Sequence, residues 1–224
     1  MGQIELFRIG RIPIHLDFMF ILLAALWTRP FWSSGEAQLL SAAFVLAVGL
    51  FASILLHELG HAWAGRAFGI ETSYIELNGI GGLCHFVRSL PASVLARTVI
   101  GLAGPVANLM LWLLFDALAV YAASTGTSLA PFVLSQLAWA NKLLLIYNLL
   151  PSFPLDGGRV LEAWLAPLLG PAWSVRIVAV AGFLVAAWLV WMAFPDNYWM
   201  MLIAAILAIY NYQALQGVGG FGRI

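Results

Sequence analysis

The sequence predicts an all-α polytopic membrane protein with about six transmembrane helices and a small membrane-associated β-hairpin or sheet between the second and third of them. Hydrophobic residues make up 63% of the 224 residues and charged residues 9%, whereas soluble domains have about 45–50% and 25%. Such a chain cannot cover itself with polar surface. Its apolar runs are long enough to cross a bilayer, which takes about 20 residues of helix.

The apolar runs divide the chain into predicted spans that together form one transmembrane domain over residues 1–224. A polar segment, 1–11, precedes the first run, which ends at Arg29-Pro30. No small-residue cleavage site follows this run, so we expect a first span and not a cleaved signal peptide. The predicted spans cover about 13–30, 38–66, 95–122, 131–150, 173–194 and 198–215.

The arginines predict the orientation of these spans. If the N-terminus is cytoplasmic, only Arg29 falls outside, and the other arginines lie on or near the cytoplasmic side, as the positive-inside rule requires. Both termini are then cytoplasmic, and spans two and four end on that same side. The arginines on the predicted cytoplasmic side are Arg8, Arg11, Arg66, Arg88, Arg97, Arg159, Arg176 and Arg223.

The segment 69–92 differs from the apolar runs around it. It partly alternates polar with apolar residues, and it contains Asn78-Gly79, a pair typical of hairpin turns, followed by Gly81 and Gly82. We expect a small β-structured loop whose edge could dock an extended peptide by strand addition. A plain hairpin at the membrane interface, without that role, is the alternative.

The motif His57-Glu58-Leu59-Gly60-His61 lies late in the second predicted span. On a helix this spacing directs two imidazoles from one face toward a single ion and keeps the glutamate close to water bound to that ion. Ionisable groups in an apolar span are costly, and a metal would explain three of them within five positions. A pair of buried core histidines is the alternative.

A catalytic zinc typically takes three protein ligands and keeps one position for water. The best candidate for the third ligand is Asp156, because the prolines and glycines around it rule out a regular helix and isolate its carboxylate. A turn or helix-cap role for Asp156 stays open. Glu58 would act as the general base that takes a proton from the zinc-bound water.

Two asparagines lie near these residues in the predicted spans. Asn108, in the third span, and Asn148, at the end of the fourth, could hold the substrate backbone or a developing oxyanion. Either asparagine could equally hold two helices together by hydrogen bonding.

Composition also limits the other classes of function. The net charge is zero and basic residues form no tract, so we expect no nucleic-acid partner. The alternative function is a non-enzymatic polytopic protein that binds or transports a divalent metal. A transporter would need ligands along a path and paired half-repeats, whereas the candidate ligands gather at one depth and no internal repeat is visible.

The motif at 57–61 resembles that of the site-2 protease family of intramembrane zinc metalloproteases (M50-type), as do Gly104-Pro-x-x-Asn108 and the stretch from Asn148 to Gly158. The resemblance is closest to the compact six-span prokaryotic branch. It implies one Zn²⁺ per chain, held by the three residues His57, His61 and Asp156, with Glu58 as the catalytic base.

The resemblance also implies roles for the residues around the metal. Asn148 would stabilise the oxyanion or bind substrate, and the loop at Gly81 and Gly82 would correspond to the family's membrane-associated β-hairpin. The expected activity is regulated intramembrane proteolysis, in which a metalloendopeptidase cuts a transmembrane segment of a partner protein.

Partners and location follow from the same resemblance. A membrane-held transcription regulator or an anti-sigma factor is the expected kind of substrate, and the expected location is a prokaryotic inner membrane with the active site opening to the cytoplasm. The sequence contains no region resembling a PDZ or CBS domain, so we expect no substrate filtering or nucleotide sensing through such domains.

Overall fold

The computed structural model describes residues 3–33, 35–79, 81–90, 93–126 and 129–217. Arg223, which entered the orientation prediction, lies outside the described residues, as do Ile80, Pro91 and Ala92 of the predicted β-structured loop. The elements formed by the described residues are β1 (Gln3–Ile9), β2 (Ile12–Asp17), α1 (Phe18–Trp32), α2 (Ala37–Ala67), β3 (Thr72–Asn78), β4 (Gly81–Phe86), α3 (Val94–Ser124), α4 (Ala130–Asn148), α5 (Asp156–Leu169), α6 (Pro171–Ala193) and α7 (Tyr198–Leu215).

The chain packs as two compact units. Unit 1 comprises Met1–Arg88 and Ala103–Leu145, and unit 2 comprises Ser89–Leu102 and Ile146–Ile224. Helix α3 therefore contributes its first part to unit 2 and the remainder to unit 1. The prediction of a single protease domain over 1–224 is not tested by this division and stays a prediction.

Unit 1 contains a four-stranded sheet in the order β1-β2-β3-β4. The two outer pairs are antiparallel, and β2 runs parallel to β3. The predicted hairpin is formed by β3 and β4, with Asn78 opposite Gly81 at its closed end. The N-terminal strands β1 and β2 extend this hairpin into a sheet.

The first predicted span, 13–30, is wrong at its start. Residues Ile12–Asp17 form strand β2, because apolar and polar side chains alternate there and Ile14 pairs with Ile75, both fully buried. Helix α1 begins only after Asp17, whose side chain caps it by accepting a hydrogen bond from Met19 N at 2.7 Å. The helix is 15 residues long.

Among the described residues, four helices are long and apolar enough to cross a membrane, namely α2, α3, α6 and α7. The six predicted spans are thus confirmed only in part. Helix α1 is shorter than 18 residues, and Gln136, Asn141 and Lys142 make α4 more polar than the four candidate spans. A further helix, α5, covers a stretch for which the sequence analysis gave no span.

The core of unit 1 forms where α2 packs against the sheet and α1. It centres on Ile14, Ile54, Leu59, Ile75 and Leu77, all buried. Because α2 turns its apolar face to this cluster, the residues of the motif at 57–61 are held on a rigid element.

Unit 2 is organised around the packing of α6 against α7. Leu155, Ala186, Leu189, Ala204 and Leu207 form its larger buried cluster. A methyl group added at Gly182 of α6 would overlap the side chain of Asn211 of α7, so the two helices approach closely at this point.

Unit 2 also contains a buried ion pair, between Arg97 of α3 and Glu162 of α5. Their side chains are 16% and 5% exposed. The second carboxylate oxygen of Glu162 has no hydrogen-bond partner within the described part of the chain. The carboxylate of Glu162 therefore depends on the guanidinium of Arg97 to compensate for its desolvation.

Replacing Arg97 with methionine should destabilise the protein strongly. The variant leaves the carboxylate of Glu162 buried without its counter-charge, which costs about 3–5 kcal/mol. The free energy of unfolding, measured by denaturant titration in detergent micelles, should fall by about that amount, and the double variant Arg97→Met/Glu162→Leu should recover most of it.

Arg8→Met is the matched control, because it removes an arginine from the exposed pair with Glu5. An exposed pair contributes little, so this variant should unfold like the wild type. Equal stability of Arg97→Met and the wild type would show that the buried pair does not contribute to folding.

Candidate metal centre

Helix α2 presents both histidines of the motif to one point. His57 and His61 are 5% and 7% exposed, their ring centroids are 4.8 Å apart and their planes are nearly perpendicular, at 79°. Their Nε2 atoms lie 3.2 Å from each other. Two nitrogens bound at about 2.0–2.1 Å to a tetrahedral zinc ion would be separated by about 3.3 Å. The two imidazoles therefore fit a shared zinc ion.

Asp156 supplies a carboxylate to the same group of ligand atoms. One ligand atom of each of His57, His61 and Asp156 lies within 4.8 Å of the others, and all three residues are buried. Two imidazole nitrogens and a carboxylate oxygen are a donor set typical of hydrolytic zinc enzymes. This group of residues could hold a metal ion.

The expectation that the glycines beside Asp156 rule out a regular helix is wrong, because Asp156 is the first residue of α5 and Gly157 and Gly158 lie in its first turn. The loop before Asp156 folds back on the start of that helix. A methyl group added at Gly157 would overlap the carbonyl of Leu149, and one added at Gly158 would lie 2.5 Å from the carbonyl oxygen of Ser152. The two glycines therefore allow the loop to pass directly over the helix N-terminus. Asp156 lies at this point of close contact, as the first residue of the helix.

The same loop is held by Asn211 of α7, a fully buried residue that sequence reasoning missed. Its Nδ2 donates to Ser152 Oγ at 2.8 Å and to Phe153 O at 3.0 Å, while Phe153 N donates to its Oδ1 at 3.2 Å. Asn211 therefore fastens the segment that leads into Asp156. The signal that could have identified it is the presence of an amide side chain within a mostly apolar span.

Glu58 is 5% exposed and lies against the backbone of strand β4. A methyl group added at Gly82 would overlap the glutamate side chain, so no other residue fits there without displacing the carboxylate. The neighbouring Gly81 has φ +139°, a conformation that favours glycine. The structure thus brings the predicted glycine pair next to the predicted base.

Helix α3 approaches the histidines through another glycine. A methyl group at Gly104 would lie 2.6 Å from His57 Nε2 and would also overlap His61 Nε2, and one at Gly60 would lie 2.6 Å from Ala103 O. One turn further along α3, Asn108 Oδ1 is 2.5 Å from His57 Nδ1. The absence of side chains at these positions leaves room for the imidazoles and for an ion beside them.

The two asparagines have different surroundings. Asn108 is fully buried, and its amide is in contact with His57 through Oδ1 and with Asn141 through Nδ2, at 2.9 Å. Asn148 is the last residue of α4 and is half-buried. The assignment of either residue to substrate or oxyanion binding stays a prediction.

Gly104→Ala should weaken metal binding by about 10-fold or more, because the added methyl group displaces the Nε2 atoms that share the ion. The affinity for zinc can be measured with a competing chelator on the purified, metal-stripped protein in detergent. Val106→Ala, at an exposed position two residues along the same helix, is the control and should bind as the wild type does. Unchanged zinc affinity of Gly104→Ala would contradict the assignment of this site.

Comparison with known proteins relates the chain to a peptidase family. The sequence model of peptidase family M50 matches residues 45–128. A zinc metalloprotease of Methanocaldococcus jannaschii is 32% identical over 188 residues, which cover 80% of this chain and 50% of that protein. The Bacillus subtilis protein YwhC, whose name assigns it provisionally to the zinc metalloproteases, is 31% identical over 155 residues, which cover 54% of this chain and 69% of that protein.

A solved structure has the same fold. The site-2 protease from Methanocaldococcus jannaschii superposes with a TM-score of 0.72 at 27% sequence identity, over 96% of this chain and 95% of that one. The chain spans about half the length of the first curated relatives it matches, 50% and 44%. The resemblance to site-2 proteases is confirmed, and this chain, an integral membrane protein with four long apolar helices, belongs to peptidase family M50.

Proposed function

We propose that this protein is an intramembrane zinc metalloprotease, a metalloendopeptidase that hydrolyses a peptide bond within or near a transmembrane segment of another membrane protein. The observation that carries the proposal is the buried group of His57, His61 and Asp156, with Glu58 next to one of the histidines in the sequence. Membership of peptidase family M50 supports the same chemistry.

The residues divide the catalytic work between them. His57, His61 and Asp156 would hold one zinc ion, which when bound supplies Lewis acidity and lowers the pKa of water. Glu58 takes a proton from the attacking water and passes it to the leaving amine. Its burial places this proton transfer in surroundings of low dielectric, where a charged carboxylate acts strongly on nearby dipoles.

The substrate would bind as an extended strand along β4. This strand is at the edge of the sheet, so it can accept hydrogen bonds from an added strand. Gly82 of β4 lies against Glu58, so a peptide docked at Gly81 and Gly82 would pass close to the base. Asn148 would contact the substrate or the oxyanion.

Asn108 is better explained as a support for His57 than as a substrate contact. It is fully buried, and its amide oxygen and nitrogen face His57 and Asn141. The alternative role for this residue, hydrogen bonding that holds two helices together, is favoured by the observed contacts.

The membrane arrangement is part of the proposal. We place six spans in the bilayer, counting α1 and α4 with the four long apolar helices, and we place both termini and the opening of the site on the cytoplasmic side of a prokaryotic inner membrane. A water-accessible cavity at the site is required, because hydrolysis consumes water that lipid excludes. The substrate would be a membrane-held regulator, such as a transcription factor or an anti-sigma factor.

Glu58→Gln should retain zinc and lose cleavage. The amide keeps the size of the side chain but cannot take a proton, so the cleavage rate should fall by about 10²–10⁴-fold or more. Zinc content and cleavage of a reporter with a transmembrane segment can both be measured on protein reconstituted in liposomes. Glu71→Gln, which alters an exposed carboxylate, is the control and should cleave at the wild-type rate.

The same experiment separates the proposal from the alternative of a metal-binding or metal-transporting protein. Zinc bound by a wild-type protein that cleaves no reporter but moves zinc across the liposome membrane would support that alternative. Cleavage by Glu58→Gln at the wild-type rate would reject the assigned base.

Helix-breaking residues near the cleavage site should speed turnover. A peptide carbonyl in an intact transmembrane helix is hydrogen-bonded within the helix, so the segment must unwind before attack and before strand addition to β4. Reporters that differ only by proline, glycine or leucine at one position near the cut should be cleaved fastest with proline or glycine. Equal rates for all three reporters would count against local unwinding.

A further inference from the structure

A chain of buried polar side chains runs outward from His57 across three helices of unit 1. Asn108 Oδ1 of α3 lies 2.5 Å from His57 Nδ1, and Asn108 Nδ2 donates to Asn141 Oδ1 of α4 at 2.9 Å. Asn141 Nδ2 in turn donates to Ser53 Oγ of α2 at 2.9 Å. Asn108 and Asn141 are fully buried and Ser53 is 1% exposed, so these groups depend on one another for hydrogen bonding.

The far end of this chain is anchored on two backbone carbonyls. Ser53 Oγ donates to Gly49 O at 2.8 Å, and Asn141 Nδ2 donates to Leu137 O at 2.9 Å. A carbonyl oxygen can only accept, so the hydroxyl proton of Ser53 is committed to Gly49 and its oxygen must accept from Asn141. Two acceptors therefore face the same amide nitrogen, and Asn141 can present only its oxygen to Asn108.

The orientation of the Asn141 amide in turn determines the orientation of Asn108 and the position of the proton on His57. Because Asn141 offers an acceptor, Asn108 must turn its Nδ2 toward Asn141 and its Oδ1 toward His57. An amide oxygen cannot donate, so the proton of a neutral His57 belongs on Nδ1. The other ring nitrogen, Nε2, then keeps its lone pair, and this is the atom that lies 3.2 Å from His61 Nε2.

We propose that Asn141 is a positioning residue that acts through Asn108 to hold His57 in the Nδ1–H tautomer, so that Nε2 is ready to bind metal before the ion arrives. Histidine ligands commonly donate their second ring N–H to such a partner. Here the choice of tautomer originates in the carbonyl of Leu137, one turn of α4 away from Asn141. Ser53 reinforces the orientation of Asn141. The inference rests on the proposed function only for the identity of the metal.

The tautomer can be observed directly by nitrogen NMR of metal-free protein labelled with ¹⁵N-histidine in detergent. The chain has four histidines, so the spectrum is simple, and the signals of His57 can be assigned by their absence from His57→Gln. In the wild type, we expect His57 Nδ1 to show the shift of a protonated ring nitrogen and Nε2 that of an unprotonated one. A protonated Nε2 in the metal-free wild type would overturn the inference without any variant of the network.

Asn141→Leu should release the tautomer, because Asn108 loses the acceptor that orients its amide. We expect a mixture of both His57 tautomers and an affinity for zinc reduced by about 10–100-fold, the usual effect of removing an outer partner of a metal ligand. Asn141→Asp should preserve both the tautomer and the affinity, since a carboxyl oxygen facing Asn108 accepts in either protonation state. A residue that merely filled space would give the same result with either substitution.

Two serine variants are matched controls. Ser53→Ala removes one anchor but leaves Leu137 O, so its effect should be smaller than that of Asn141→Leu. Ser135→Ala removes a hydroxyl that donates to Pro131 O at 2.8 Å on α4 but touches no part of the network, and it should change nothing. If Asn141→Leu does not fold, the spectrum of the metal-free wild type still decides the question.

The failure of this inference differs from the failure of the proposed function. Asn141→Leu with the wild-type tautomer and zinc affinity would overturn the inference, while zinc binding and reporter cleavage by the wild type would leave the protease assignment intact. A wild-type protein with the expected tautomer but no affinity for zinc would instead reject the proposed metal.

Discussion

The burial of three ionisable side chains on one apolar helix is the constraint on which the rest of unit 1 depends. His57, Glu58 and His61 are each less than a tenth exposed, in a helix whose neighbouring residues are almost all apolar. A buried charge without partners costs far more than the few kcal/mol by which proteins are stable. Each group must therefore be met by something polar at close range. The amide of Asn108 contacts the imidazole of His57, the backbone at Gly82 lies against the carboxylate of Glu58, and the Nε2 atoms of both histidines converge where a cation would compensate them.

The helices and strand around the site approach one another closely because they have glycine at the points of contact. Gly60 lets the backbone of α3 approach α2, Gly104 leaves space at the Nε2 atoms of both histidines, and Gly82 lets β4 lie against the glutamate. A methyl group at any of these positions would occupy the volume that the site requires. Glycine is normally unfavourable inside a helix, by about 1 kcal/mol relative to alanine. At Gly60 and Gly104 this cost is offset by the access it gives to the histidines, as at the close helix crossings of other membrane proteins.

The sequence predicted those parts of the site whose geometry is local, and it missed those that depend on tertiary contacts. The spacing of His57 and His61 determines their common face on any helix, so their convergence followed from the motif alone. Asp156 was the best candidate for the third ligand, but a turn or helix-cap role stayed open until the family resemblance was considered, because no local pattern states where a loop some hundred residues downstream will fold. Strand β2 was assigned to the first span because its alternating residues run without interruption into α1. Asn141 and Asn211 were missed because an amide within a mostly apolar helix produces no periodic signal. The cost of placing an amide in lipid is nevertheless a reason to expect a specific partner for each of them.

The same buried amides have a consequence for the packing of the helices. Apolar faces rich in alanine, leucine and glycine can slide past one another with little change in contact area, so they define the register of helix pairs weakly. A chain of donors and acceptors is satisfied in one register only, since a shift by one turn would separate Asn108 of α3 from Asn141 of α4 and would break the buried hydrogen bond between Asn108 Nδ2 and Asn141 Oδ1. Ser53 ties α4 to α2 in the same way. The network that orients the imidazole of His57 therefore also aligns α2, α3 and α4 along their axes. The orientation of this ligand and the register of the three helices have the same physical origin.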